Sequence, residues 1–354
     1  MTQSLADKLL PKRLKDEIER ILLARIQFRS DPKSGVVSVA TQKERRQVIS
    51  MTYAQLWEMG FRLGSAKSLG ERHVRALAER WEAQGLAAGT LRTRLSYLST
   101  FCGWIGKPGM VKSPEEYCSK ERLARSSITT VNKSWEANGK HPVEVIDAAW
   151  DVDPRLALYL ALQHEFGFRM KESLEFRPRV CVSADGKSIG IVEGTKGKRP
   201  RTIPIEKESQ QAALNWALDV AKTSRSGRVR WPHLTFRQAQ TRFYGLMRRK
   251  LGISKKACGL TAHGLRHGYA QTSYTDQTGL PSPVEGGALG QIDRETHERA
   301  CLHVSRTLGH VRPGIAGAYY GSYGHQLRNA KAPAPAPADA EQQPLTTLPK
   351  EMSK

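Results

Sequence analysis

Leu308-Gly-His310-Val-Arg-Pro-Gly-Ile-Ala-Gly-Ala-Tyr319 sets a tyrosine nine residues after a histidine. Upstream, His263-Gly-Leu-Arg266-His267 sets an imidazole and a guanidinium three residues apart. Positions i and i+3 of a helix share a face, so the two groups project together. Two further stretches precede these. Gly167-Phe-Arg169-Met-Lys-Glu172 restarts a helical pattern, and Gly194-Thr-Lys196-Gly-Lys198-Arg199-Pro-Arg201 is a basic turn between apolar runs. Each stretch alone has a plain structural reading. Arg169 can pair with Glu172 on a solvated face, Lys196 can be one more turn lysine, His310 can cap a helix end, and Tyr319 can pack in a core.

Around these stretches the periodicity is mostly helical. Thr52 to Leu63 reads as a helix. A second helix starts after Ser68, with Glu71 three residues on as in a capping box, and carries Val74, Leu77, Ala78 and Trp81 at helical spacing. Thr90 caps a third, with Leu91, Leu95, Leu98, Phe101 and Trp104. Arg72, Arg75, Arg92 and Arg94 fall on the polar faces of this group. Later, helices are expected at 143–166, 207–222, 235–250, 264–275 and 295–308, with a loop at 276–290. Val180–Val182, Ile189–Val192 and Arg201–Ile205 read as strands around turns. The fold class is therefore mainly α with a small antiparallel β-sheet, an α+β arrangement.

The 354 residues suit two domains with tails, and 39% hydrophobic residues suffice for real cores. The reading divides the chain into a basic extension at 1–45, a helical domain at 46–110, a linker rich in Gly, Pro, Ser and charge at 111–140, and a larger domain at 141–330. Residues 331–354, opening Ala332-Pro-Ala-Pro-Ala-Pro337, read as an extended, disordered tail. No apolar run of about 18 residues is present, so no membrane partner is expected. The N-terminus lacks a signal-peptide pattern, which points to the cytoplasm. Five scattered cysteines form no Cys-x-x-Cys pair and read as free thiols in a reducing compartment. His297, Cys301 and His303 are too few ligands for a closed zinc site, so no metal is expected.

The net charge is +22, carried by residues 1–330 and absent from 331–354. Such a charge on both globular parts calls for a polyanion, because Lys and Arg displace counterions from phosphates. A nucleic acid is the expected partner. Charge by itself says nothing about chemistry.

In this order, the four stretches resemble the tyrosine recombinases, the phage integrase family. That family sets Arg after Gly with an acidic residue three further on, then a Lys in a β-hairpin turn. His-x-x-Arg, Leu-Gly-His and a Tyr nine residues later complete its set. The resemblance covers about residues 145–325, and the unit at 46–110 looks like the family's SAM-like core-binding domain, most closely at Ala88-Gly-Thr-Leu-Arg-Thr-Arg-Leu-Ser-Tyr-Leu98. One departure is the 44-residue step from Arg266 to His310, longer than simple members have, with the excess expected in 275–298. The pattern is closer to integrases of mobile elements than to compact chromosome-dimer resolvases.

The resemblance implies roles. Arg169 and Arg266 would present permanently charged forks to the phosphate oxygens. Tyr319 would attack phosphorus, and since a phenol ordinarily keeps its proton until about pH 10, His263 would serve as base. Lys196 would protonate the leaving 5′-hydroxyl. His310 would donate a hydrogen bond to the phosphate, and Glu172 would position Arg169 or a neighbour. Lys198, Arg199 and Arg201 would join the four helical arginines in gripping DNA. The bond energy stays in a 3′-phosphotyrosyl link, so neither cofactor, metal nor nucleotide is needed. The chain shows neither a Gly-x-x-x-x-Gly-Lys-Ser/Thr loop nor an acidic two-metal cluster. Double-stranded DNA as the partner, a homotetramer on it, an accessory bending or directionality factor, and a place on the nucleoid follow from the same resemblance. The alternatives are a type IB topoisomerase-like relaxing enzyme, a non-catalytic site-specific DNA-binding protein, and a basic RNA-binding protein. The last has no use for His263, Arg266, His310 and Tyr319 in register.

Overall fold

The computed structural model describes residues 5–28, 35–124, 128–195, 199–288, 290–310 and 313–324. The chain divides into two compact units, Met1–Ser126 and Ser127–Lys354.

The first unit is helical: α1 (Leu5–Leu9), α2 (Lys12–Arg25), α3 (Val39–Glu58), α4 (Glu71–Ala83), α5 (Ala88–Trp104) and α6 (Lys120–Leu123). Helix α2 buries Leu14, Ile18 and Leu22, four residues apart, and these join one core with Tyr53, Trp81, Leu91 and Phe101. A 14-residue helix is marginal alone in water. Burial of each such side chain, worth about 1.5–3 kcal/mol, is what holds it. Residues 1–45 are thus not a separate extension: the described part is built into the helical domain. Two polar side chains inside this core are satisfied. The Trp81 indole donates to Gln55 Oε1 at 2.8 Å, and the Tyr53 hydroxyl donates to the Ala66 carbonyl at 2.7 Å. Gly70 caps helix α4, its N–H donating to His73 Nδ1 at 2.9 Å, whereas Ser68 closes a short 3-10 turn.

The described parts of 111–140 are likewise packed into the two units rather than free. Val111, Tyr117, Cys118 and Leu123 belong to the first unit's core. Trp135 is fully buried in the second, its indole donating to the Thr261 carbonyl at 2.8 Å. Gly, Pro and Ser separate these anchors, so no periodicity announces them.

The second unit runs α7 (Pro142–Val152), α8 (Pro154–Phe166), α9 (Met170–Glu175), α10 (Pro178–Cys181), β1 (Ser188–Ile191), β2 (Arg201–Pro204), α11 (Glu208–Lys222), α12 (Phe236–Arg249), α13 (Lys255–Cys258), α14 (His263–Thr278), α15 (Arg294–Thr307) and α16 (Gly317–Tyr320). Helix α8 is its axis, buried at nearly every position from Leu156 to Gln163, with α7, α11 and α14 packed on it. Asp153 caps α8, accepting from the N–H groups of Arg155 at 3.0 Å and Leu156 at 3.2 Å. The sheet has two strands, β1 and β2, antiparallel, with Ile189 opposite Ile203. The stretch expected as a first strand, Val180–Val182, instead ends helix α10 and pairs with the sheet through an isolated Val182–Ile189 bridge, because Pro178 opens a helical turn there. A smaller core of Ala270, Tyr274, Ala300, Val304, Leu308, Ala316, Tyr319 and Tyr320 joins α14, α15 and α16. Among the described residues, no helix is long and apolar enough to cross a membrane.

Candidate active site

Helix α8 ends at Gly167, which has φ +57° and would drive a β-carbon into the Tyr269 ring. The chain then turns, and Arg169 caps α9. Its backbone N–H donates to Glu172 Oε2 at 2.7 Å and its guanidinium to Glu172 Oε1 at 2.8 Å. Arg201, from β2, donates to both oxygens of the same carboxylate at 2.7 Å each. Arg266, from α14, lies 3.9 Å away. Glu172 thus gathers three arginines. Burial alone would raise its carboxyl. The Arg201 hydrogen bonds and the charges of Arg201, Arg266 and Arg169 outweigh that and hold it at about 2.

Arg266 is wholly buried. Its guanidinium donates to the carbonyls of Gly167 and Leu308, so its plane is fixed by the ends of two other helices. Burial lowers it to about 10, leaving it charged at neutral pH. Its remaining Nε donates to the Tyr319 hydroxyl at 3.4 Å, and that hydroxyl lies 3.5 Å from His263 Nε2. Contacts of this length are ordinary before substrate arrives, tightening as a reacting group binds. The His310 ring stacks on Tyr319 with centroids 5.5 Å apart, and His267 stands 4.7 Å from it. Nδ1 of both His267 and His310 is buried without a hydrogen-bond partner among the described residues.

The histidines are tuned to be neutral. His263 keeps an open edge, yet the packing of the rest of its ring, then the charges of Arg266 and Arg169, push it to about 4. Burial and the same arginines push His310 to about 4, and burial followed by His263 pushes His267 to about 3. A neutral His263 can accept the tyrosine proton.

The structure therefore brings Arg169, Glu172, His263, Arg266, His310 and Tyr319 together. Tyr320 points elsewhere, stacking on Tyr274 with centroids 5.6 Å apart. Tyr323 Oη lies 3.5 Å from the Tyr274 hydroxyl. Lys196 and Lys198 lie outside the described residues. Gly194, two residues before Lys196 in sequence, has φ +79° and lies so close to α9 that a β-carbon would sit 2.9 Å from Glu172 Cα.

Two of the expected DNA contacts are reassigned. Arg201 is buried and both its Nη groups donate to Glu172, which ties it to that carboxylate inside the protein. Arg94 stacks over Trp81 at 5.1 Å with Nη1 buried, part of its own unit's packing. Arg72, Arg75, Arg92 and Arg199 are exposed, although Arg75 pairs with Glu71 at 3.2 Å and Arg92 with Glu115 at 2.9 Å. A basic face went unnoticed in the sequence. Helix α12 lines a groove of about 810 Å³ with Arg237, Arg242, Arg248, Arg249 and the exposed Tyr244. The signal was present in Phe236-Arg-Gln-Ala-Gln-Thr-Arg-Phe-Tyr-Gly-Leu-Met-Arg-Arg249, whose apolar residues 239, 243 and 247 leave the arginines outside.

Two sequence families match the chain: one described as "Integrase" over residues 127–272, and one described as "Phage integrase, N-terminal" over residues 30–111. The first includes Arg169, Glu172, Lys196, His263 and Arg266. His310 and Tyr319 lie beyond it and are joined to the site by geometry. Among curated relatives, the tyrosine recombinase XerC of Yersinia pestis is 26% identical over 237 residues, 61% of this chain and 70% of that protein. XerC of Vibrio campbellii is 27% identical over 215 residues, 58% of this chain and 62% of its own. The chain thus spans under two thirds of the latter. Among solved structures, a lambda integrase dimer bound to a COC′ core site matches with TM-score 0.54 at 16% identity, covering 88% of this chain and 94% of that one. The Tn1549 transposon integrase in complex with transposon right end DNA matches at 0.54 and 12%, covering 89% and 99%. These structural likenesses speak for the fold. With both of its units matched in order, and a histidine, a buried arginine and a tyrosine converging in the second, the chain belongs to the tyrosine recombinase, or phage integrase, family.

Proposed function

We propose that this chain is a site-specific DNA recombinase that integrates or excises a mobile element through a 3′-phosphotyrosyl intermediate. The observation that carries the reading is the Tyr319 hydroxyl, lying between His263 Nε2 at 3.5 Å and Arg266 Nε at 3.4 Å. Tyr319 Oη bonds to the scissile phosphorus as the bond from phosphorus to the 5′-oxygen breaks. His263 takes the phenol proton and Lys196 supplies one to the leaving 5′-oxygen. Arg169 and Arg266 neutralise the charge that builds on the non-bridging oxygens, and a hydrogen bond from His310 joins them. Reversal with a new 5′-hydroxyl rejoins the strand. The positive charge a metal would bring is already present in the arginines, so cleavage proceeds in EDTA and without nucleotide.

DNA is held by the exposed arginines of the first unit, by Lys198 and Arg199, and by the α12 face. Four copies assemble on the paired sites, in the cytoplasm on nucleoid DNA, with an accessory bending or directionality factor setting the direction. DNA complexes of the lambda and Tn1549 integrases, which share the fold, support DNA as the partner. The test is a suicide substrate run on a denaturing gel. Tyr319→Phe removes only a hydroxyl and is expected to abolish the covalent adduct while DNA binding stays. An adduct that survives in Tyr319→Phe and vanishes in Tyr320→Phe overturns the assignment. Lys196→Ala is expected to stall on normal DNA and to recover on a 5′-bridging phosphorothiolate, whose sulfur leaves without a proton. No recovery moves the acid elsewhere.

A further inference from the structure

Helix α16 has four residues. So short a helix cannot hold its own shape, since the first turn costs more than it returns. The placement of Tyr319 must come from outside. We propose that Gln271 is a positioning residue that tethers the nucleophile's backbone in its own chain's site. The inference rests on Tyr319 being the nucleophile.

Gln271 lies on α14, two turns beyond His263, and is 2% exposed. Its side-chain amide nitrogen has two hydrogens, and two acceptors stand within reach. It donates to the Tyr319 carbonyl at 3.1 Å and to Asn132 Oδ1 at 2.9 Å. The amide is a bridge with no donor to spare. Asn132 belongs to the segment by which the chain enters this unit, and the same segment grips α16 a second time: the Thr129 N–H donates to the Gly317 carbonyl at 3.1 Å. The nucleophile's helix is therefore held from one side by α14 and from the other by residues 129–132, with Gln271 touching both. No other role accounts for a buried glutamine here, since it reaches neither the phenol hydroxyl nor the arginines. A tyrosine swinging by about 1 Å loses attack geometry, and such misplacement costs on the order of 10²-fold in rate.

Gln271→Leu keeps the volume and removes both bonds. The expected result is a single-turnover cleavage rate at saturating DNA lower by about 10- to 100-fold, with the DNA dissociation constant within about twofold of wild type. Asn132→Leu removes the bond from Gln271 and the one from the Ser134 N–H, and is expected to lose about three- to tenfold, because Gln271 still holds Tyr319. The double variant is expected to be no slower than Gln271→Leu alone, since both act through one amide. Wild-type cleavage in Gln271→Leu overturns the tether. So does a loss matched by weakened DNA binding, which marks a general structural role. Additive losses in the double variant overturn the link to Asn132. If Tyr319→Phe still forms adduct, the nucleophile assignment fails instead, and the two failures are told apart on the same gel.

Discussion

Two groups of arginines in the second unit face opposite ways. Arg201 and Arg266 are buried, with bonds to Glu172, Gly167 and Leu308, residues far away in sequence. Arg237, Arg248 and Arg249 stand in solvent on α12 and make no ion pair among the described residues. The side chain is the same and the physics differs. A buried guanidinium is oriented before substrate arrives and acts strongly in its low-dielectric surroundings. An exposed one is screened and mobile, and contributes by releasing counterions from the phosphate it meets. The inner set should therefore govern rate and stability, and the outer set affinity and its dependence on salt.

The strongest challenge to that division is Arg266→Lys. Lysine keeps the charge and loses the fork that spans two carbonyls and the tyrosine hydroxyl. Cleavage at saturating DNA is expected to fall on the order of 10² to 10³-fold, with the salt dependence of binding unchanged. A near-normal rate removes Arg266 from the chemistry. Next comes Arg201→Ala, which leaves Glu172 short of its best partner inside the protein. Unpairing a buried ion costs about 3–5 kcal/mol. Denaturant unfolding should show a loss of that size, and cleavage should fall too as Arg169 loses its fixed carboxylate. A variant as stable as wild type, and impaired only in DNA binding, would return Arg201 to the outer set.

The outer set is tested by Arg237→Ala and Arg248→Ala. Each is expected to flatten the log–log salt slope of binding by about 1, while cleavage at saturating DNA stays within about twofold. A rate defect that excess DNA does not cure would erase the distinction. A last prediction concerns His267, which burial and His263 hold at about 3. An unfolded histidine takes up a proton near pH 6.5, so below that pH the unfolded chain binds more protons than the folded one. Stability should fall as pH drops from about 6.5 towards 3, and His267→Gln should fall less steeply. Parallel unfolding curves for the two proteins across that range would mean His267 is not kept neutral.

Much of the site was legible because its chemistry depends on short spacings. Arg169 and Glu172 sit three apart, as do His263 and Arg266, and the nine-residue step singles out Tyr319. Helices α11, α12, α14 and α15 were placed nearly to the residue by their apolar periodicity. Arg201 was misplaced for a reason specific to turns. A basic run of Lys, Arg and Pro gives no period that tells an inward residue from an outward one. Gln271 carried no signal at all, since a polar residue in a helix reads as a surface position. Residues 1–45 read as a charged extension with a helical stretch near Asp16 to Phe28, because their charges mask the row Leu14, Ile18 and Leu22 that joins them to the core.

The sequence alone determined the reactive groups, their order and most of the helices, because those follow from side-chain chemistry and from neighbours within a few residues. Only the tertiary structure decided which arginines turn inward and what steadies the tyrosine. Arg201 finds its carboxylate 29 residues away and Arg266 its carbonyl 99 away. Burial is a property of such distant partners, and no local pattern records it.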